Sequence, residues 1–164
     1  VFFAGFPIVE RHAHAYRVGY YEQQANGWSN SNLAGLDATV YVPLVDFKFR
    51  NDTPNWLLME TYMDGYSLTW KFYGTSDGRT VDWTTTGVTN IEPPPEPVYH
   101  EDPKLAEGQI KQVDWAVEGA SVSVYRTVNK DGQVYLTDAF HTHYVAWPDQ
   151  YTYGPGTDIS GLRH

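Results

Sequence analysis

Four of the six histidines stand in two pairs, His12-Ala13-His14 and His141-Thr142-His143. Residues two apart on an extended segment project from the same face, so each pair would present its two imidazoles side by side. Imidazole is the commonest metal ligand and the side chain that exchanges a proton near neutral pH. The spacing therefore suits a Zn, Cu or Ni site completed by a carboxylate, or a catalytic pair. No Asp or Glu at the spacing of a chelating set stands beside either pair. That favours a plainer arrangement in which one His of each pair packs and hydrogen-bonds while the other is exposed. No cofactor is implied.

A second chemistry comes from the aromatic side chains, which make up 16% of the residues and argue against disorder because they bury large areas. Flat rings flanked by polar groups dock sugars. Trp28, Trp115, Trp147, Tyr144 and Tyr151 are the candidate ligand-binding residues, against the alternative that such rings serve as core or cross-strand partners.

The formal net charge of −9 repels polyphosphate and anionic membrane surfaces. Nucleic acid is therefore not an expected partner, whereas a glycan or another protein is. The sequence contains no cysteine, which excludes disulfides, thiolate metal sites and a cysteine nucleophile within this chain. No apolar run reaches the roughly 20 residues needed to span a bilayer.

The elements that must position these groups read as strands. Residues 38–50 alternate, with Val45, Phe47 and Phe49 on one face and Asp46, Lys48 and Arg50 on the other. Pro43 divides that run or marks an edge strand. Residues 56–63 and 66–73 flank Asp64-Gly65 as a hairpin, and residues 80–91 add a Thr-rich strand. Four prolines between Pro93 and Pro97 form an extended spacer. Strands follow over 109–115, 120–128 and 133–140, the last two joined by Asn129-Lys130-Asp131-Gly132. The polar segment 22–36 reads as a long surface loop, and Val1–Phe6 as the last turn of an apolar helix ended by Gly5 and Pro7. The expected fold is mainly β: two small antiparallel modules joined by a Pro-rich spacer, with only a short N-terminal helical turn. The boundaries are 1–92, spacer 93–97, 98–150, and an irregular tail 151–164. Glu10 and Arg11 suggest a structural ion pair, and Asp131-Gly132 has too few carboxylates for a calcium loop.

The run Ala4-Gly5-Phe6-Pro7-Ile8-Val9-Glu10-Arg11-His12-Ala13-His14 resembles the motif of VanW-family proteins in which a helix end leads into Glu-Arg-His-x-His. Gly35-Leu36-Asp37-Ala38-Thr39-Val40 and Asp46-Phe47-Lys48-Phe49-Arg50-Asn51-Asp52-Thr53 continue the resemblance to about residue 90. From Pro94, the segments Pro97-Val98, Glu101-Asp102-Pro103-Lys104-Leu105 and Glu107-Gly108 are similar to the start of a G5 domain. Gly119, Val122, Val124, Arg126 and Gly132 carry that pattern to about residue 147. The resemblance implies a bacterial extracellular or cell-wall-associated protein, with partners among N-acetylglucosamine-containing polymers or other envelope proteins.

The family pattern places a Gly-rich stretch with a Cys and a Ser-Thr-Thr run just before the point where this chain begins. In the parent protein, that Cys, His14 and Asp37 would resemble a nucleophile, its base and the group orienting the base. The chain alone lacks the nucleophile. Three functions follow in order: a binding module for peptidoglycan or another amino-sugar polymer, a structural subunit of a surface assembly, and part of a Cys-His-Asp wall-processing enzyme.

Overall fold

The computed structural model describes residues 1–17 and 34–162. Strand β1 (Ile8–Glu10) pairs antiparallel with β2 (Lys48–Phe49). Strands β3 (Leu58–Asp64) and β4 (Ser67–Tyr73) form a hairpin in unbroken register from Leu58↔Tyr73 to Asp64↔Ser67. A four-stranded sheet contains β5 (Thr80–Thr85), β6 (Thr89–Glu92), β9 (Gly119–Lys130) and β10 (Gln133–Tyr144), with β9 bonded to the other three. In the remaining sheet β11 (Gln150–Tyr153) lies between β7 (Val98–Glu101), to which it is parallel, and β8 (Ile110–Asp114), to which it is antiparallel. Among the described residues the helical pieces are one-turn 3-10 segments, Phe2–Ala4 and Ser160–Leu162. None is long and apolar enough to cross a membrane, which leaves β-barrel spanning unaddressed. The mainly-β expectation is met.

Two compact units interleave along the chain. The first comprises Val1–His12, Ala38–Thr84 and Tyr125–Ala139; the second comprises Ala13–Asp37, Thr85–Val124 and Phe140–His164.

The first unit is organised around two arginines. Arg126 and Val128 are both buried on β9, and Arg126 is the largest fully buried side chain among the described residues. A buried guanidinium needs partners for its donors. Arg126 donates to Asp138 through Nε at 2.8 Å and through Nη2, and to the carbonyls of Phe2 at 2.9 Å and Phe6 at 3.1 Å. Arg79 donates to the carbonyl of Gly5 at 2.9 Å, to Asp52 at 3.0 Å and to Asp77 at 2.6 Å. The carbonyls of Gly5 and Phe6 thus take guanidinium donors, and that of Phe2 takes one in addition to the Gly5 N–H that closes the turn. Gly5 ends that turn at φ 72°, and a Cβ there would lie 2.9 Å from Arg79 Cδ. Only glycine fits both the angle and the space.

The alternation expected over 38–50 holds for burial from residue 45, since Val45, Phe47 and Phe49 are half-buried and Asp46, Lys48 and Arg50 are exposed, whereas 40–44 are all exposed. A continuous strand does not form. A turn closed by the Tyr41–Val45 bridge, with a cis Val42–Pro43 peptide, leaves only Lys48–Phe49 as strand. Likewise, residues 80–91 split into β5 and β6, separated by Gly87 at φ 66°. The hairpin expected around Asp64-Gly65 is present, its loop being Gly65 and Tyr66. It leaves Leu58, Met63, Leu68 and Trp70 exposed.

In the second unit Ala120, Val122 and Val124 of β9 and Thr142 and Tyr144 of β10 are buried. The hairpin joining β9 and β10 turns at Asp131 and Gly132, both at positive φ, as expected for such a loop. Both strands run past their expected ends. The segment expected as an irregular tail includes β11, which is bonded to a strand on each edge and half-buried at all four residues. Its parallel pairing with β7 also makes that sheet mixed rather than antiparallel. Residues 93–97 carry no regular structure, and β6 and β7 on either side both belong to the second unit.

Removing one member of a buried ion pair strands the other, at a cost of about 3 kcal/mol or more. Asp138→Ala is therefore expected to lower the urea-unfolding free energy by about 3 kcal/mol. Arg79 holds the Asp77 carboxyl below its ordinary range. A depressed carboxylate contributes stability above the ordinary carboxylate pKa, and that contribution is lost as pH falls through and below it. An acid-unfolding titration should show stability falling below about pH 4, with a shallower fall in Asp77→Asn.

Candidate functional site

His14 and Asp37, 23 residues apart in sequence, are in contact. His14 Nδ1 lies 2.8 Å from Asp37 Oδ2, and the same oxygen accepts the His14 backbone N–H at 2.7 Å. An ionised carboxylate only accepts, so the geometry selects the imidazole form with Nδ1 protonated. The His14 side chain is 28% exposed and that of Asp37 13%. The other carboxylate oxygen, Oδ1, accepts the Tyr144 hydroxyl at 2.5 Å, and Tyr144 Oη accepts the backbone N–H of Gly35 at 2.9 Å.

Local chain geometry builds this arrangement. Gly35 sits at φ 82°, and a Cβ on it would lie 2.8 Å from Val122 Cγ1. A bare backbone there lets residues 35–37 lie directly on the buried valines of β9. On the other side, the Val145 N–H donates to the carbonyl of Ala15 at 2.8 Å. Tyr16 packs on Trp147 with ring centroids 4.4 Å apart. Residues 13–16 and 34–37 are both fastened to the chain where β10 ends.

The remaining histidines are held separately. His12 Nε2 lies 3.1 Å from Glu10 Oε1, and Glu10 also takes the Lys48 ammonium at 2.6 Å. Lys48, and then His12, hold the exposed Glu10 carboxyl below its usual range. The residue pattern suggests a Glu10–Arg11 ion pair and offers no Asp or Glu at chelating spacing beside His12-x-His14, while the resemblance sets Asp37 against His14. In the structure each of those imidazoles has its own carboxylate partner. On β10, His141 Nδ1 lies 2.9 Å from Ser123 Oγ and His143 Nδ1 3.3 Å from Ser121 Oγ. Among the described residues no three His, Asp or Glu side chains gather as a metal site.

Three of the five candidate ligand-binding aromatics share one hydrogen-bonded neighbourhood. Trp147 Nε1 donates to Asp114 Oδ2 at 2.9 Å, and Trp115, the next residue, is 65% exposed. Gln112 donates to Asp149 at 2.7 Å and stands opposite Tyr151, whose ring stacks on Tyr99 at 5.1 Å and 15°. Partial desolvation and then the Asp149 charge raise the Tyr151 phenol above its ordinary pKa, so it stays neutral. Tyr144 is a correction. It was expected as an open docking ring, but it is 3% exposed and both its ring and its hydroxyl are committed inward. Trp28 lies outside the described residues.

The family model described as VanW like protein matches residues 1–73, and that of the G5 domain matches residues 84–147. The two matches place a VanW-like domain ahead of a G5 domain along the chain. Domains of these families are typical of extracellular or cell-wall proteins in bacteria. Among solved structures, the chain is similar to the crystal structure of HP0197-G5. That match has 23% identity over 46% of this chain and 97% of the other, with a TM-score of 0.23. It is also similar to the IgA1 protease G5 domain structure, at 17% identity over 46% and 86% of the two chains, with a TM-score of 0.27. No curated protein matches the chain.

The VanW-like match contains His14 and Asp37, whereas the G5 match contains Tyr144, Val145 and Trp147. Sequence reasoning paired His14 with Asp37 but missed Gly35 and the hydroxyl of Tyr144. The available signal for Tyr144 was the alternation His141-Thr142-His143-Tyr144, which sets residues 142 and 144 on one face if the strand continues.

Gly35→Ala meets both a left-handed backbone and a methyl overlap. The expected loss is about 2 kcal/mol or more in chemical unfolding. An unchanged midpoint would contradict the close approach to β9.

Proposed function

We propose that this chain is a cell-envelope binding module for peptidoglycan or another amino-sugar polymer, and that Trp115 is a principal docking ring. The observation that carries this reading is the exposed Trp115 beside a fixed set of aromatic and acceptor groups: Trp147, Asp114, Gln112, Asp149 and Tyr151. Sugar rings present apolar C–H faces edged by hydroxyls. A flat indole supplies contact area at low entropy cost, and nearby carboxylates and amides accept and donate at the ring's edge. Hydrogen bonds from Trp147 and Gln112 hold the two carboxylates in place before any ligand arrives, which lowers the cost of ordering on binding. The family membership supports an envelope setting, since G5 domains are associated with binding cell-wall polymers.

The expected result is retention of the chain on purified insoluble peptidoglycan at low salt, weakened about tenfold by Trp115→Ala, the size of a single aromatic anchor. Absence of retention for the unaltered chain, or equal retention by Trp115→Ala, would count against the reading.

A second reading rests on the His14–Asp37 contact. An imidazole whose Nδ1 is held by a carboxylate can take a proton at Nε2 while the carboxylate stabilises the imidazolium. We infer that in the parent protein this pair serves as base and orienting acid for a nucleophile outside this chain, in wall processing. His14→Ala and Asp37→Asn are each expected to lower turnover of peptidoglycan fragments by the parent protein by about 10²–10⁴-fold. Unchanged turnover in His14→Ala would sink this second reading and leave the binding reading standing.

A further inference from the structure

We propose that Tyr144 is a positioning residue for the His14–Asp37 pair, so that the G5 domain supplies the third member of a site whose other two members lie in the VanW-like domain. The inference rests on the second reading above, because a pair that does no proton chemistry needs no such placement.

The placement comes from both sides of the pair. On the Asp37 side, the Tyr144 hydroxyl donates to Oδ1 and accepts from the Gly35 N–H. With its one proton committed to Asp37, the hydroxyl has a fixed direction, and Oδ1 has a fixed donor. That leaves Oδ2 to His14, which brings both its backbone N–H and Nδ1 to it. On the His14 side, the residue after Tyr144 donates its N–H to Ala15, which follows His14. Two consecutive residues of the G5 match therefore hold Asp37 and the residue that follows His14.

Burial adds to the constraint. Tyr144 is 3% exposed, and a buried phenol is rarely without a hydrogen-bond partner because the lost hydration goes unreplaced. Asp37 can rotate away from His14 only by giving up the Tyr144 proton as well. The consequence is a carboxylate with one populated orientation, the condition under which it selects a single imidazole tautomer.

The test reads the tautomer directly, on the 164-residue chain. Long-range ¹H–¹⁵N spectra of neutral His14 are expected to show the Nδ1-protonated form in the unaltered chain. In Y144F they should show a mixture of tautomers, with exchange of the Nδ1–H with solvent at least tenfold faster. The Arg126 Nε–H signal, which belongs to the first unit, serves as the folding control and should not move. A Y144F chain with folded spectra, one His14 tautomer and unchanged exchange would overturn the proposal.

If Y144F does not fold, 3-fluorotyrosine at position 144 keeps the ring and makes the hydroxyl a stronger donor. A displaced His14 Nδ1–H resonance then supports the proposal, and an unmoved one overturns it. No substrate enters the measurement. A negative result here is thus distinct from the loss or retention of turnover in His14→Ala that decides the second reading.

Discussion

A carboxylate with an eighth of its surface in water must replace most of its hydration with protein donors, and His14 and Tyr144 supply three of them to Asp37. Two come from His14 and one from Tyr144, so a single side chain ties together residues 14, 37 and 144. Satisfying it requires that residues 34–37 approach β9 closely enough for Gly35 to meet Val122, and that β10 extend to residue 144. It also requires that residue 14 arrive with its backbone N–H turned inward. Each of these is a condition on the fold of the second unit. The valines of β9 could pack against many segments, whereas Asp37 admits few. Hydrophobic burial there provides the driving force, and the carboxylate provides the selection.

The first unit uses the same device with the charges reversed. Its apolar core is small, and the β3–β4 hairpin leaves much of its apolar surface exposed. At its centre lies Arg126, which donates twice to Asp138 and once each to the carbonyls of Phe2 and Phe6. Hydrophobic replacement of a buried pair of this kind is often neutral or stabilising, so the net gain from the pair itself is not large. What it does supply is direction. Guanidinium hydrogen bonds constrain angle as well as distance, and the turn that precedes the Glu-Arg-His-x-His run is set in one orientation by Arg126 and Arg79 together. A packed leucine would hold the same turn with much less angular preference.

Much of this was legible in the residue pattern, and the failures have physical causes. Alternation over 45–50 gave the correct faces because burial follows period two whether or not a ladder forms. The length of the strand did not follow, because the Tyr41–Val45 turn is decided by local backbone bonds that the alternation does not encode. Asp64-Gly65 and Asp131-Gly132 were readable as loops because positive φ at glycine is a local property. β11 was not, since four residues carry too short a pattern and its pairing with β7 and β8 is tertiary information. The pairing of His14 with Asp37 came from the motif resemblance. The contribution of Gly35 required knowing which strand it would lie against, and that is tertiary information.

Tyr144 shows why aromatic count alone misplaces function. Five rings were candidates for docking a ligand, and the ones that differ most in outcome are Tyr144 and Trp115. Their chemistry is similar: a flat apolar body with one polar hydrogen. The difference lies in register. Tyr144 follows two residues after the buried Thr142 on an alternating strand, with His141 and His143 facing outward. Period two therefore turns it inward, where its hydroxyl must find an acceptor and finds Asp37. Trp115 follows the last residue of β8, beyond the ladder, so no strand register dictates where its indole faces. A ring inside a strand is assigned by its neighbours' alternation, and a ring just past a strand end escapes that constraint. In this chain the first kind holds Asp37 beside His14, and the second kind keeps its indole exposed.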